Sequence, residues 1–162
     1  MITYITQDVC DVRDGIIVHG CNSRGVMGAG IARAIKVKWP KAFESYKKHL
    51  LHCSQHRIPA LGTWALVKVD ETLLGDVYVA NVISQLNYGR QPGYAYASVT
   101  AIEQALASLF RHINLNFFGV PIYMSMIGCN LGGLDWDHDV RPIVESLDSI
   151  YSSSLTIYVC SL

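Results

Sequence analysis

The 162 residues are 51% hydrophobic and 16% charged, enough apolar material to bury a core without disulfides, which excludes a disordered or low-complexity chain. No apolar run approaches the roughly 18 residues of a membrane span, and the opening MITYITQDVCDVRDG lacks the basic-then-apolar layout of a secretory signal. Thirteen Lys and Arg balance thirteen Asp and Glu, and a net charge of zero argues against a protein that grips long nucleic acid by bulk electrostatics.

In chain order, ITYITQ alternates β-branched and aromatic residues and predicts a first strand. GIIVHG is a short apolar strand of the kind buried on both faces. AGIARAIKVKW predicts a helix with Ile31, Ala34, Ile35 and Lys38 at helical spacing, ended by Pro40. KAFESYKKHLLHC predicts a second helix whose apolar side is Phe43, Tyr46, Leu50 and Leu51. TWALVKV and DVYVANVIS read as strands joined by a turn near DETLLG. YASVTAIEQALASLFRHI is an amphipathic helix, and PIYMSM a strand running into the glycine-rich IGCNLGGLDW. DHDVRPIVESLDSIY is a helix beginning around Trp136 to Asp139, and LTIYVCSL closes the chain as a strand. No repeat or linker divides this pattern, so residues 1–162 read as one domain. Strands alternating with helices predict a layered α/β fold with both faces of its sheet covered.

Five cysteines (Cys10, Cys21, Cys53, Cys129, Cys160), odd in number and without a CxxC pair, read as reduced thiols of a cytoplasmic protein. His49, His52, Cys53 and His56 fall on one helix face and carry donors that suit zinc. Four ligands from one straight helix do not easily surround a tetrahedral ion, so a solvated helix end is the reading and no metal is assigned. Nothing marks an oligomeric interface, and a monomer is expected.

The chemistry concentrates in two glycine-rich turns, each where a strand meets a helix. Ligands of open α/β sheets bind there, outside the carboxyl ends of the strands, and helix N-termini supply free N–H groups and a positive dipole end that suit phosphate. In the first turn Gly25, Gly28 and Gly30 free the backbone, while His19 and Asn22 place polar groups at the end of a buried strand. Either turn alone reads equally well as a chain reversal; two such turns together predict a clasp around one ligand.

ITYITQDV, VHGCNSRGVMGAGIA, IGCNLGGLDW and the closing LTIYVCSL, in this order, resemble a macrodomain over nearly the whole chain. The layout is similar to the ADP-ribose-1''-phosphate phosphatase branch and the terminal ADP-ribose protein glycohydrolase branch. The resemblance implies a three-layer α/β/α fold around a mixed sheet, and ADP-ribose or its 1''-phosphate as ligand, with no cofactor. It implies that Asp8 accepts from the adenine amine, that Asn22 contacts the distal ribose, and that Gly28, Ala29, Gly30 and Ile31 run past that ribose and the diphosphate. Gly128, Cys129, Asn130, Leu131, Gly132 and Gly133 match the loop holding the diphosphate.

The glycohydrolase branch uses a lysine on the middle strand and an aspartate in the second turn, where this chain has Gln85 and Gly132. Asp135 lies three residues beyond and is a weak stand-in. The phosphatase branch is similar to this chain in placing a histidine just before CN. His19 is therefore expected to act as acid/base on the 1''-phosphate, with Asn22 orienting the ribose; a buried strand histidine bonded to a carbonyl is the plain alternative. Arg90, in LNYGRQPGYAYAS, is a candidate phosphate contact, and Trp136 and Tyr158 are candidates beside adenine. Asp135, Asp137 and Asp139 otherwise read as helix caps. A phosphatase is the favoured reading. Hydrolysis of ADP-ribose from a modified protein or nucleic-acid base, a reader without turnover, and a pocket for another nucleotide stand as alternatives.

Overall fold

A computed structural model describes residues 1–151 and 154–162. In chain order it contains β1 (Ile2–Thr6), β2 (Gly15–Asn22), α1 (Gly30–Lys38), α2 (Pro40–Gln55), β3 (Trp64–Glu71), β4 (Asp76–Gln85), α3 (Val99–Asn116), β5 (Ile122–Ser125), α4 (Arg141–Ile150) and β6 (Ile157–Ser161). The strands form one sheet in the order β1-β6-β5-β2-β4-β3, parallel except for β3, which runs antiparallel to β4. The fold has three layers, α/β/α, around a mixed sheet.

The alternation of β2 and β4 assigns the layers. Ile16, Val18, Ala80 and Val82 face α3 and α4, where they pack on Ile102, Leu106, Leu109, Phe110, Val144 and Leu147. Ile17, Val77 and Val79 face the other way, onto Ile35 of α1, Ala42 of α2 and Trp39 between the two helices. Each large side chain so buried contributes roughly 1.5–3 kcal/mol of apolar transfer energy. Ser98 starts α3 by accepting from the Ala101 N–H at 3.2 Å.

Pro40 does end α1, and it also opens α2, standing at the first helical position where its missing N–H costs nothing. Two expected core faces differ. In α1 only Ile35 is buried, while Ile31 and Ala34 are exposed toward a cavity. In α2 Tyr46 is buried as expected and Phe43 and Leu50 pack half-buried on the same cluster, but Leu51 is exposed, and Ala42 and Cys53 are buried in addition. The last helical stretch begins with a wide π-type turn, Trp136–Val140, before α4. No helix of the described residues is long and apolar enough to cross a membrane.

After β2 the chain turns onto the α1–α2 layer; after β5 it turns toward α4, on the opposite face. β2 and β5 are neighbours in the sheet, so their carboxyl ends diverge and leave a crevice between them.

Candidate functional site

That crevice is a cavity of about 860 Å³, the size class of small-molecule sites. Both glycine-rich turns line it, with Asp8 at one side and Gln85, Tyr88 and Arg90 at another.

The first turn begins at an irregularity in the β2–β4 pairing between Cys21 and Asn22. Asn22 is 8% exposed and builds the turn with its own amide: Nδ2 donates to Val26 O (2.7 Å) and Oδ1 accepts from Arg24 N (2.9 Å). Its second Nδ2 hydrogen is what remains for a ligand hydroxyl. From α2 the wholly buried Tyr46 joins the same network. Its hydroxyl accepts from Gly25 N (2.9 Å) and Val26 N (3.1 Å) and stands 2.7 and 2.8 Å from Asn22 O and Oδ1, to one of which it donates. Burial is the main cause pushing this phenol up to about 12, so it stays protonated. Tyr46 reads from sequence as core. The available signal was that a buried tyrosine hydroxyl demands polar partners.

The turn then delivers the start of α1. Its N-cap, Ala29, has no side-chain oxygen to offer. Among the described residues no acceptor meets the N–H groups of Gly30, Ile31 or Ala32, all three of which line the cavity.

The second turn keeps its shape with residues at positive φ: Gly128 (+79°), Asn130 (+58°) and Gly133 (+81°). The N–H groups of Cys129, Gly132, Gly133 and Leu134 close it internally. Among the described residues those of Gly128, Asn130 and Leu131 have no partner, and these residues line the same cavity. Two groups of uncommitted donors therefore converge on one space, an arrangement that favours an anion with more than one charged group. Gly133, expected in the ligand loop, does not line the cavity; it packs on the loop before α3, where a Cβ would stand 2.6 Å from Tyr94 O.

The segment 86–98 bridges the turns. Arg24 Nε donates to Asn87 Oδ1 (2.9 Å) and Ser23 Oγ to Leu86 O (2.7 Å) at one end. At the other, Tyr96 N and Ala97 N both donate to Gly132 O (2.9 and 3.0 Å).

His19 belongs to the cavity floor yet is only 1% exposed, pointing with Asn81 into the α1–α2 layer. Asn81 Nδ2 donates to Ala42 O (3.1 Å), so its Oδ1 accepts from His19 Nε2–H (2.7 Å). Burial lowers the imidazole to about 4, and it is neutral near pH 7. Its one N–H is already engaged. A neutral ring with its one proton committed to Asn81 has none to give a leaving group, which counts against the acid half of the expected role, while Nδ1 faces Cys21 Sγ at 4.0 Å. The cavity thiols Cys21 and Cys129 are both pushed up by burial, Cys129 to about 11, which keeps them protonated and poor nucleophiles.

Asp8 lines the cavity and accepts from Cys10 N with Oδ1 (2.9 Å), leaving Oδ2 for a ligand. Gln85 and Gly132 are neighbours: a Cβ on Gly132 would stand 3.8 Å from Gln85 Oε1. Asp135 lies outside the cavity and caps the π-type turn, accepting from His138 N (2.8 Å). Trp136 donates to Tyr4 Oη (3.2 Å) and Tyr158 stacks on Tyr123; neither lines the cavity, since both serve the packing of β1, β5 and β6. Of the helical cluster, His49 bonds Thr63 Oγ1 (2.6 Å) and lies 3.7 Å from Cys53 Sγ, while His52 and His56 stack on each other (4.3 Å), so the four split into two pairs. Among the described residues no three His, Cys, Asp or Glu are grouped to hold a metal ion.

The chain matches the family model Macro domain over residues 18–143. It is 27% identical over 158 residues to a DNA ADP-ribosyl glycohydrolase of Mycobacterium tuberculosis, an alignment covering 98% of this chain and 42% of that protein. The chain thus spans less than half the length of that relative. It is 27% identical over 139 residues to an ADP-ribose 1''-phosphate phosphatase of Lodderomyces elongisporus, covering 83% and 82% of the two chains. The solved macrodomain of Mycobacterium tuberculosis DarG superposes with a TM-score of 0.79 at 24% identity, covering 100% of this chain and 98% of that one. This chain belongs to the macro domain family.

Proposed function

We propose that the cavity binds ADP-ribose and that the chain is a hydrolase removing the 1''-phosphate from ADP-ribose 1''-phosphate. The observation that carries this reading is the convergence of two sets of unpaired N–H groups, from the start of α1 and from the second turn, on one cavity of nucleotide size. They suit a pyrophosphate, with Asp8 placed for the adenine amine and Asn22 for the distal ribose. The relative from Lodderomyces elongisporus carries that activity in its name.

The second enzyme reading, release of ADP-ribose from a macromolecule, is supported by the name of the mycobacterial relative. The covalent pair of the glycohydrolase branch counts against it. Its two positions are neighbours here, but they hold an amide and a glycine, with no amine nucleophile and no carboxylate. In the phosphatase reading water attacks phosphorus, the P–O1'' bond breaks, and the anomeric oxygen leaves with a proton drawn ultimately from that water. Arg90 and loop N–H groups offset charge on the phosphoryl oxygens. His19 holds the floor of the site through Asn81 and serves as a positioning residue.

Incubation of purified protein with ADP-ribose 1''-phosphate, followed by a phosphate assay, is expected to release inorganic phosphate and leave ADP-ribose. Release of ADP-ribose from modified protein or DNA with no phosphatase activity would replace the reading by the second. Calorimetric binding of ADP-ribose with neither activity would make the chain a reader.

A further inference from the structure

The net charge of zero conceals a segregation. Eight of the thirteen Lys and Arg lie between residues 24 and 57, accompanied by a single carboxylate, Glu44. That segment carries +7 and the rest of the chain −7. It is also one layer of the fold, α1 and α2 with the turn before them. All eight cations (Arg24, Arg33, Lys36, Lys38, Lys41, Lys47, Lys48 and Arg57) are exposed.

Among the described residues none of them has a carboxylate within 4.0 Å; the six ion pairs that form use the N-terminus, Lys68, His138 and Arg141. Two are held together rather than apart. Lys36 of α1 and Lys47 of α2 lie 4.1 and 5.4 Å from the centre of the one Phe43 ring. Clustered like charges with no ion-pair partner repel one another, and an anionic partner relieves that cost.

We infer that the α1–α2 layer is a docking surface for a nucleic-acid strand, bound through its phosphodiester backbone. A small anion entering the cavity would feel only the nearest of these charges. The 16 residues of α2 extend about 24 Å, more than twice the Debye length at physiological salt. An extended polyanion engages the whole layer.

Continuity with the cavity favours nucleic acid over other polyanions. Ile31, Ala32 and Ala34 of α1 line the cavity, flanking the exposed Arg33. Arg24 is tied through Asn87 to the segment carrying Tyr88, 55% exposed, and Arg90, both on the cavity rim. A basic track that meets an exposed aromatic ring at a nucleotide-sized pocket has the two components that bind single strands, backbone charge and a base-stacking surface. The strand would bring a nucleic-acid-borne substituent to the pocket only under the second reading, release of ADP-ribose from a macromolecule; the docking surface itself rests on neither reading. The exclusion drawn from net charge holds for an evenly charged protein, and this one is not.

Fluorescence anisotropy with unmodified labelled strands of about 20 nucleotides tests it directly. Single-stranded DNA and RNA of one sequence form two arms, and binding of either supports the surface and identifies the sugar preferred. A Kd of about 1–100 µM near physiological salt is expected. The variant K36Q/K41Q/K47Q/K48Q should weaken binding about tenfold or more, and each lost contact should lower the slope of log K against log salt by about 0.7. The control K68Q/R111Q, outside the layer, should bind as the parent does. ADP-ribose affinity, measured in the same preparations, should be unchanged in the quadruple variant, which shows the pocket folded and keeps this test separate from that of the ligand. Absence of binding at low salt would overturn the inference. So would equal affinity in the quadruple variant, or capture by phosphatidylserine vesicles or polyglutamate in place of strands.

Discussion

The Tyr46 hydroxyl lies 2.8 Å from Asn22 Oδ1, fastening the first glycine-rich turn to the middle of α2. One oxygen thereby ties together a residue proposed to contact the ribose and two half-buried backbone N–H groups that it alone accepts from among the described residues. The turn is shaped as much by this distant tyrosine as by its glycines.

Replacing Tyr46 by Phe removes that oxygen and leaves donors unsatisfied, at a cost of about 1–3 kcal/mol. The denaturation midpoint should fall accordingly, and calorimetry should show ADP-ribose affinity reduced by about tenfold or more as Asn22 loses its register. A Tyr46→Phe protein with parental affinity would show that the turn holds its shape without this hub.

Gly133 makes the corresponding point at the second turn. It adopts φ +81°, and a Cβ would meet Tyr94 O at 2.6 Å, a backbone atom that does not swing aside. Gly133→Ala should therefore cost about 1–3 kcal/mol in stability. It should also loosen the bonds from Tyr96 and Ala97 to Gly132 O. Amide exchange over residues 94–97 should rise in that variant, with a loss of ADP-ribose affinity. Gly25→Ala meets nothing within 4 Å and should carry only the backbone strain of its own φ of +81°.

Much of this architecture is legible in the sequence. The strands and helices announce themselves by apolar period, and the glycine clusters mark both turns, because positive φ and bare backbone favour glycine. Less legible is what happens between elements distant in the chain. Tyr46 looks like core until its hydroxyl is seen under residues 22–26. Ile31 looks like core as well, although its helix presents it to a cavity. His19 is the reverse case, since a polar residue at a strand end invites a catalytic role. The alternation of β2 points it away from the open crevice toward Asn81, and that direction depends on which layer covers which face.

Arg90 separates the phosphatase reading from simple ADP-ribose binding. It lies on the cavity rim and is exposed, so its removal should leave the fold intact. Arg90→Ala should weaken ADP-ribose 1''-phosphate more than ADP-ribose, by about 1–2 kcal/mol, as expected for a charge-assisted bond to one phosphate. Equal losses for the two ligands would place the guanidinium on the shared diphosphate, and no loss for either would remove it from the site.

The His19–Asn81 pair makes a prediction about pH with a definite sign. The folded protein holds the imidazole at about 4, whereas an unfolded chain holds it near the ordinary 6.5. Between those values the unfolded state binds a proton that the folded state refuses, so stability rises with pH. Stability should be fully present above about pH 6.5 and should decline as the pH falls toward 4, by on the order of 3 kcal/mol from this group. Denaturation midpoints of the parent and of His19→Gln across that window check it. The glutamine amide can still donate to Asn81 Oδ1 but cannot titrate, so its profile should be flatter. In the same variant, phosphate release near pH 7 should persist if His19 positions the floor, and should vanish if the ring itself moves a proton. Retained turnover with a flattened stability profile would identify His19 as a neutral strut in the sheet.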